Sequence, residues 1–295
     1  MNKLFFGSLL LLFIPLMSYA QNAEGDTIKN WKKGGDFSFT FSQVSLNNWS
    51  AGGQNSVSGN IQLNTFANYA KGKNAWDNTF QVGYGLTQQG SDNLIKSDDR
   101  VLISSKYGYK ASNRWFYSAL VDFKTQMTTG YQDPPTNSKI ISELFSPAYL
   151  MFSLGMDYKP NDNFSLYLSP ATGKTTFVLD DSLSFHGAYG VDPGEKSRTE
   201  FGAMLKSVYK KENIVKNVDF YSRLDLFSNL TENPQYIDVD WEVRLNMKVN
   251  KFLTAVASLN LLYDNDIKYI DSDGVEHGAR VQTKQLLGFG LNYKF

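Results

Sequence analysis

Ile237 to Asn250 reads Ile-Asp-Val-Asp-Trp-Glu-Val-Arg-Leu-Asn-Met-Lys-Val-Asn. Successive side chains of a strand point to opposite faces, so this stretch has two unlike sides. One carries Ile237, Val239, Trp241, Val243, Leu245, Met247 and Val249; the other carries Asp238, Asp240, Glu242, Arg244, Asn246, Lys248 and Asn250. A strand in a soluble core does not place a charge or an amide at every position of one face. A strand with lipid on one side and a polar lumen on the other does.

The same alternation recurs along the chain. Trp115, Tyr117, Ala119, Val121 and Phe123 lie opposite Asp122, Lys124, Gln126 and Thr128, and Leu150, Phe152, Leu154, Met156 and Tyr158 lie opposite Ser153, Gly155 and Asp157. Phe80, Val82, Tyr84 and Leu86 oppose Thr79, Gln81, Gly83 and Gly85. Strands are expected to begin near Asp36, Ser56, Ala75, Arg100, Arg114, Ala148, Phe164, Ser197, Asn217, Ile237, Phe252 and Val281. The connections alternate in length. Short turns contain Lys71 to Asn74, Ala111 to Asn113, Pro160 to Asp162, Lys210 to Asn213 and Asn250-Lys251. Longer loops run near Gln88 to Asp99, Thr129 to Pro147, Ala171 to Lys196 and Asp264 to Arg280. The reading is an all-β protein: a transmembrane antiparallel up-and-down β-barrel of about twelve strands, with both termini on the short-turn, periplasmic side of a bacterial outer membrane.

Composition agrees. The chain has 295 residues, 29 basic and 29 acidic side chains, no cysteine and 15% aromatic residues. Its mean hydropathy of -0.35 argues against a helical membrane protein but suits a barrel with a polar interior. Zero net charge gives no reason to expect nucleic acid as a partner. Lys3, the apolar run Leu4 to Met17 and Ser18-Tyr19-Ala20 read as a cleavable export signal over residues 1–20. Residues 21–34 are read as a periplasmic segment able to fold back as a plug, and residues 35–295 as the barrel.

Aromatic residues register at one depth. Phe37, Trp76, Trp115, Phe164 and Phe252 open upward strands, while Tyr69, Tyr109, Tyr158, Tyr209, Tyr293 and Phe295 close downward ones. That is an interfacial girdle. Leu287, Phe289, Leu291, Tyr293 and Phe295 alternate to the terminal residue. This run resembles the C-terminal targeting signal of outer-membrane barrels, with Gly288 at the signal's polar position, and implies the barrel assembly machinery as a partner during insertion. The loop Asn47-Asn48-Trp49-Ser50-Ala51-Gly52-Gly53-Gln54-Asn55-Ser56, with the Phe-rich strand before it, resembles the hallmark of an outer-membrane family of the Bacteroidota known only as a domain of unknown function. The resemblance implies a barrel in that membrane and brings no activity or site residues. Physically, Gly52-Gly53 permits a tight reversal and Trp49 an interfacial anchor.

Candidate chemistry lies mostly inside. Lys106, Asp122, Lys124, Lys206, Asp219, Arg223, Asp225, Asp238, Asp240, Glu242, Arg244 and Lys248 are expected to line the lumen. If the facing walls carry one sign, they form a selective channel; if they carry opposite signs, they close the barrel. Arg100, Arg198 and Arg280 open downward strands at the outer rim and are candidates for contact with lipopolysaccharide phosphates, alongside the outer-membrane lipids around the wall. Asp264, Asp266, Asp271, Asp273 and Glu276 read as a solvated acidic loop, since Lys268 and Val275 stand where a calcium loop needs ligands. No metal or other cofactor is expected. His186 and His277 fall in loops with no triad motif, so no enzyme is expected. The leading functional expectation is a low-specificity small-solute channel. The second is a closed barrel serving as a structural or accessory subunit of an outer-membrane assembly with unidentified protein partners, and the third is a lipid-modifying enzyme.

Overall fold

Period-two alternation becomes twelve strands closed into one antiparallel barrel in the computed structural model, which describes residues 30–46, 54–132, 139–251, 253–270 and 276–295. They are β1 (Trp31–Val44), β2 (Ser56–Lys71), β3 (Asn74–Gln89), β4 (Ile95–Lys110), β5 (Trp115–Thr125), β6 (Ala148–Asn161), β7 (Phe164–Phe177), β8 (Ser197–Val215), β9 (Val218–Asn229), β10 (Ile237–Lys248), β11 (Leu253–Tyr263) and β12 (Gln282–Lys294). Each strand pairs with the next, and β1 pairs with β12 to close the wall. The export signal, most of the expected plug segment, the loop with Trp49, Gly52 and Gly53, and Phe252 lie outside the described residues.

The burial is inside-out. Phe39, Ile61, Phe80, Ile103, Val121, Phe152, Leu154 and Phe201 stand exposed on the outer face, while Glu242, Asp157 and Arg223 are buried within. Lipid on the outside and a polar interior account for both halves of this pattern, so the barrel spans a membrane. In tilted ring contacts, Trp31 lies 5.2 Å from Tyr69 and 5.8 Å from Trp76, Trp115 4.9 Å from Tyr158, and Tyr209 5.8 Å from Phe220. These rings form a girdle at the short-turn end.

The structure corrects several boundaries. β1 begins at Trp31, not near Asp36: Trp31 pairs with Tyr69 and Gly34 with Phe66, so these residues belong to the wall and not to a plug. β4 begins at Ile95, because pairing with β3 continues past a bulge at Gly85/Leu86 and shortens the expected loop. β8 runs through the expected turn at Lys210 to Asn213. It bulges between Lys211 and Val215 and reverses only at Lys216-Asn217, where Asn217 takes a positive φ of 63°.

One irregularity reorganises the interior. In β7, Ser169-Pro170-Ala171 puts an extra residue opposite both neighbours, shifting the register at Leu154/Met156 and at Gly202/Met204. Proline has no N–H for the ladder, so a bulge is where a central strand tolerates it. Ser169 Oγ donates to the Leu154 carbonyl at 2.7 Å in place of a main-chain donor, and Ala171 N donates to Ser169 Oγ at 3.3 Å. Gly155 sits so close that a Cβ there would strike the Leu168 carbonyl. The bulge reverses side-chain parity: Tyr167 and Ser169 point inward before it, and Thr172, Lys174 and Thr176 after it.

Candidate functional site

All twelve expected lumen residues lie on inner faces, and all but Arg244 pair with an opposite charge. Lys124 of β5 reaches Asp240 of β10 at 2.6 Å, and Lys206 of β8 reaches Asp122 of β5 at 2.5 Å. Arg223 lies 3.3 Å from Asp225 and 3.2 Å from Asp240. Arg244 donates to Gln62 of β2 at 3.4 Å and covers the ring of Tyr221. Lys106 lies 2.8 Å from Asp157, Lys248 lies 3.0 Å from Asp219, and Asp238 lies 2.6 Å from Lys174. Several of these strands are not neighbours in the wall, so the pairs span the lumen and brace it. Beside them Leu120, Tyr167 and Met204 form a buried apolar knot inside the barrel, with Met151 against it.

Arg100 and Arg198 are placed differently from the expectation. Both sit on inward-facing positions. Arg100 reaches Glu242 across the lumen at 3.4 Å, and Arg198 lies 2.8 Å from Asp266 and 3.4 Å from Glu200 while donating to the Gly190 carbonyl at 3.2 Å. The inner-face parity of β4 and β8 aims these guanidiniums at lumen carboxylates and away from the outer surface. Arg280 remains exposed at the rim.

Above the braced layer, toward the long loops, lies a cavity of about 1250 Å³. Its floor includes Arg100, Asp122, Lys124 and Asp240, its walls Tyr149, Met151, Phe227 and Leu262, and its roof Ile140, Ile141, Leu183 and Tyr189. Ile140 and Ile141 come from the loop between β5 and β6; Leu183 and Tyr189 come from the loop between β7 and β8, which folds on its own small core of Val178, Leu183 and Val191, with Ala188 and Tyr189 packed against it. A short helix α1 (Asp181–Phe185) starts at Asp180, whose side chain accepts from Leu183 N at 2.8 Å. Asp180 N bonds Ser146 Oγ at 2.8 Å, and Tyr189 Oη donates to the Ile141 carbonyl at 2.5 Å. These bonds tie the two roof loops together.

Residues 41–131 match a family described as "Protein of unknown function (DUF3078)". No curated protein matches the chain. Among solved structures, the COG4313 outer membrane channel from Pseudomonas putida F1 aligns over 92% of this chain and 100% of its own, at 12% identity and a TM-score of 0.39. The translocator domain of the autotransporter NalP from Neisseria meningitidis aligns over 92% and 90%, at 7% identity and 0.33. The P. putida toluene transporter TodX aligns over 91% and 80%, at 10% identity and 0.31.

Sequence reasoning missed Lys174, a cation of the upper lumen, 2.6 Å from Asp238, 3.3 Å from Asp264 and 3.6 Å from Glu200. Pro170 was the available signal, because a proline in a central strand announces the bulge that turns Lys174 inward. Asp264 and Asp266, read as a solvated loop, instead hold Lys174 and Arg198.

Tyr189 carries a testable consequence. Burial pushes its phenol up to about 12. In the unfolded chain it ionises near pH ~10. The docked roof therefore binds the phenolic proton more tightly, and its stability falls as pH rises from about 10 to about 12. Limited proteolysis of the roof loop should accelerate across that window, and Tyr189→Phe should remove this pH dependence while weakening docking by about 1 kcal/mol.

Proposed function

We propose that this chain is a closed outer-membrane barrel that serves as an accessory subunit, not a freely open diffusion channel. The observation that carries the reading is the lumen itself. Lys124–Asp240, Lys206–Asp122 and Arg100–Glu242 join strands from different parts of the wall, so facing walls carry opposite signs. An open channel needs a hydrated path, and these pairs together with the Leu120–Tyr167–Met204 knot occupy it. Outer-membrane placement is supported by the closed barrel, the apolar exterior and the girdle. An even strand count leaves both termini on the short-turn side, which we assign to the periplasm. The exterior meets outer-membrane lipids, Arg280 is the remaining rim candidate for lipopolysaccharide phosphate, and the strand ending at Phe295 is the candidate signal for the assembly machinery.

The test is ion conductance of the refolded barrel in a planar lipid bilayer. A silent bilayer is expected, with folding verified by heat-modifiable gel migration. Reproducible single-channel steps from the unmodified chain would overturn the closed reading and restore the small-solute channel.

A further inference from the structure

The junction between β1 and β12 differs from the rest of the wall. Its pairing runs from Asp36–Lys294 to Phe41–Phe289 and stops. Above that point Ser42, Gln43 and Val44 pair with β2, and Leu286, Leu287 and Gly288 pair with β11. Among the described residues no bridge joins these two stretches, although the register would set Ser42 against Gly288, Gln43 against Leu287 and Val44 against Leu286. The side chains flare outward beside the gap: Leu287 is 84% exposed and Phe289 66%.

The depth of this gap matters. From Tyr293, at the girdle, a tilted strand climbs about 12 Å to Gly288, roughly half of an apolar band about 25 Å tall. The splayed stretch therefore faces the half of the membrane nearer the long loops. Backbone amides and carbonyls at that depth are tolerated without partners only where they line a water-filled space or are covered by protein. Such a space begins farther up the same strand: Gln282 and Lys284, beyond Leu286 on the β12 edge that β1 leaves unpaired, line the cavity of about 1250 Å³.

We propose that the upper β1–β12 seam is a lateral portal, through which a single-chain anionic amphiphile passes from the surrounding lipid into the cavity above the braced lumen. The unpaired stretch spans about 10 Å along the strand, the length over which one acyl chain would pass between the strands. The cavity exceeds an ordinary small-molecule pocket of about 300–1,000 Å³. Tyr149, Met151, Phe227 and Leu262 offer the chain an apolar wall. Lys124 and Lys284 offer the head a charge. Their side chains are 38% and 39% exposed. Each ammonium has three donors, and among the described residues each makes one ion pair, to Asp240 and Asp98 respectively. A polar solute would leave the apolar wall unused, and a neutral hydrocarbon would leave the ammoniums unused.

The chain has no cysteine, so paired cysteines report cleanly. The full barrel in lipid nanodiscs is titrated with a dansyl-labelled undecanoic acid, whose emission brightens on leaving water. The Gln43→Cys/Leu287→Cys variant is compared before and after bridging with a short bis-maleimide. The expected result is saturable binding before bridging and loading slowed at least about tenfold after it. The Phe41→Cys/Phe289→Cys variant, bridged within the paired part of the seam, should load at its unbridged rate. Met151→Trp, which narrows the cavity, should lower the bound amount. Equal loading before and after bridging at Gln43/Leu287 would overturn the portal. Absence of saturable binding before bridging, or full binding by Met151→Trp, would overturn the cavity as the destination. Conductance is read separately, so none of these failures touches the closed-lumen reading.

Discussion

The Asp240→Asn/Glu242→Gln double variant is expected to turn a silent bilayer into one with reproducible, anion-selective single-channel steps. These two acids of β10 hold Lys124 at 2.6 Å and Arg100 at 3.4 Å from other parts of the wall, and both lie within ion-pair reach of Arg223. Neutralising them leaves Arg100 and Lys124 without their ion-pair partners and Arg223 with Asp225 alone, beside Arg244. Like charges then repel toward the walls, and the hydrated space between them favours anions. The sign of selectivity is the sharper half of the result. A cation-selective pore would mean that other acids, such as Asp122 and Asp225, dominate the path. A variant that folds but stays silent would assign closure to the Leu120–Tyr167–Met204 knot instead.

Lys174→Met should be the most destabilising single substitution in the upper lumen. The ammonium is nearly buried and faces Asp238, Asp264 and Glu200, with the ring of Phe227 at 5.2 Å. Removing it leaves three carboxylates confined together without their common cation. Breaking a buried pair costs about 3–5 kcal/mol, and the lower end applies here because Asp238 keeps some access to water. Urea titration followed by heat-modifiable migration would measure the loss. Adding Asp238→Asn should recover part of it, because one of the stranded charges is gone. Additive losses in the double variant would show that Lys174 and Asp238 act independently, contrary to their 2.6 Å contact.

Much of the wall was legible residue by residue. The starts expected at Ser56, Ala148, Phe164, Ser197 and Ile237 coincide with observed strands, and Ala75 and Arg114 lie one residue from theirs. The strict alternation from Ile237 to Lys248 alone assigns one face to lipid and one to the lumen. Boundaries failed where pairing, and not composition, sets the end. Trp31 to Gly34 join β1 because β2 is long enough to partner them, and Ile95 to Asp99 join β4 because β3 continues above its bulge.

The candidate site divides along the same line. Which side chains point inward follows from period two, a property of each strand taken alone, and so Lys124, Asp240 and Glu242 could be named without a fold. Which of them meet depends on the order of closure, the register and the parity reversal at Pro170, all of them relations between strands distant in sequence. The chain by itself therefore determined a membrane barrel with a charged interior, because lipid and water impose their pattern on every strand separately. Only the tertiary structure decided that opposite charges face one another across the lumen, that Arg100 and Arg198 turn inward, that Lys174 gathers three carboxylates, and that the wall is least joined where β1 meets β12, because ion pairing and backbone pairing across a closed sheet are set by geometry that no single strand contains.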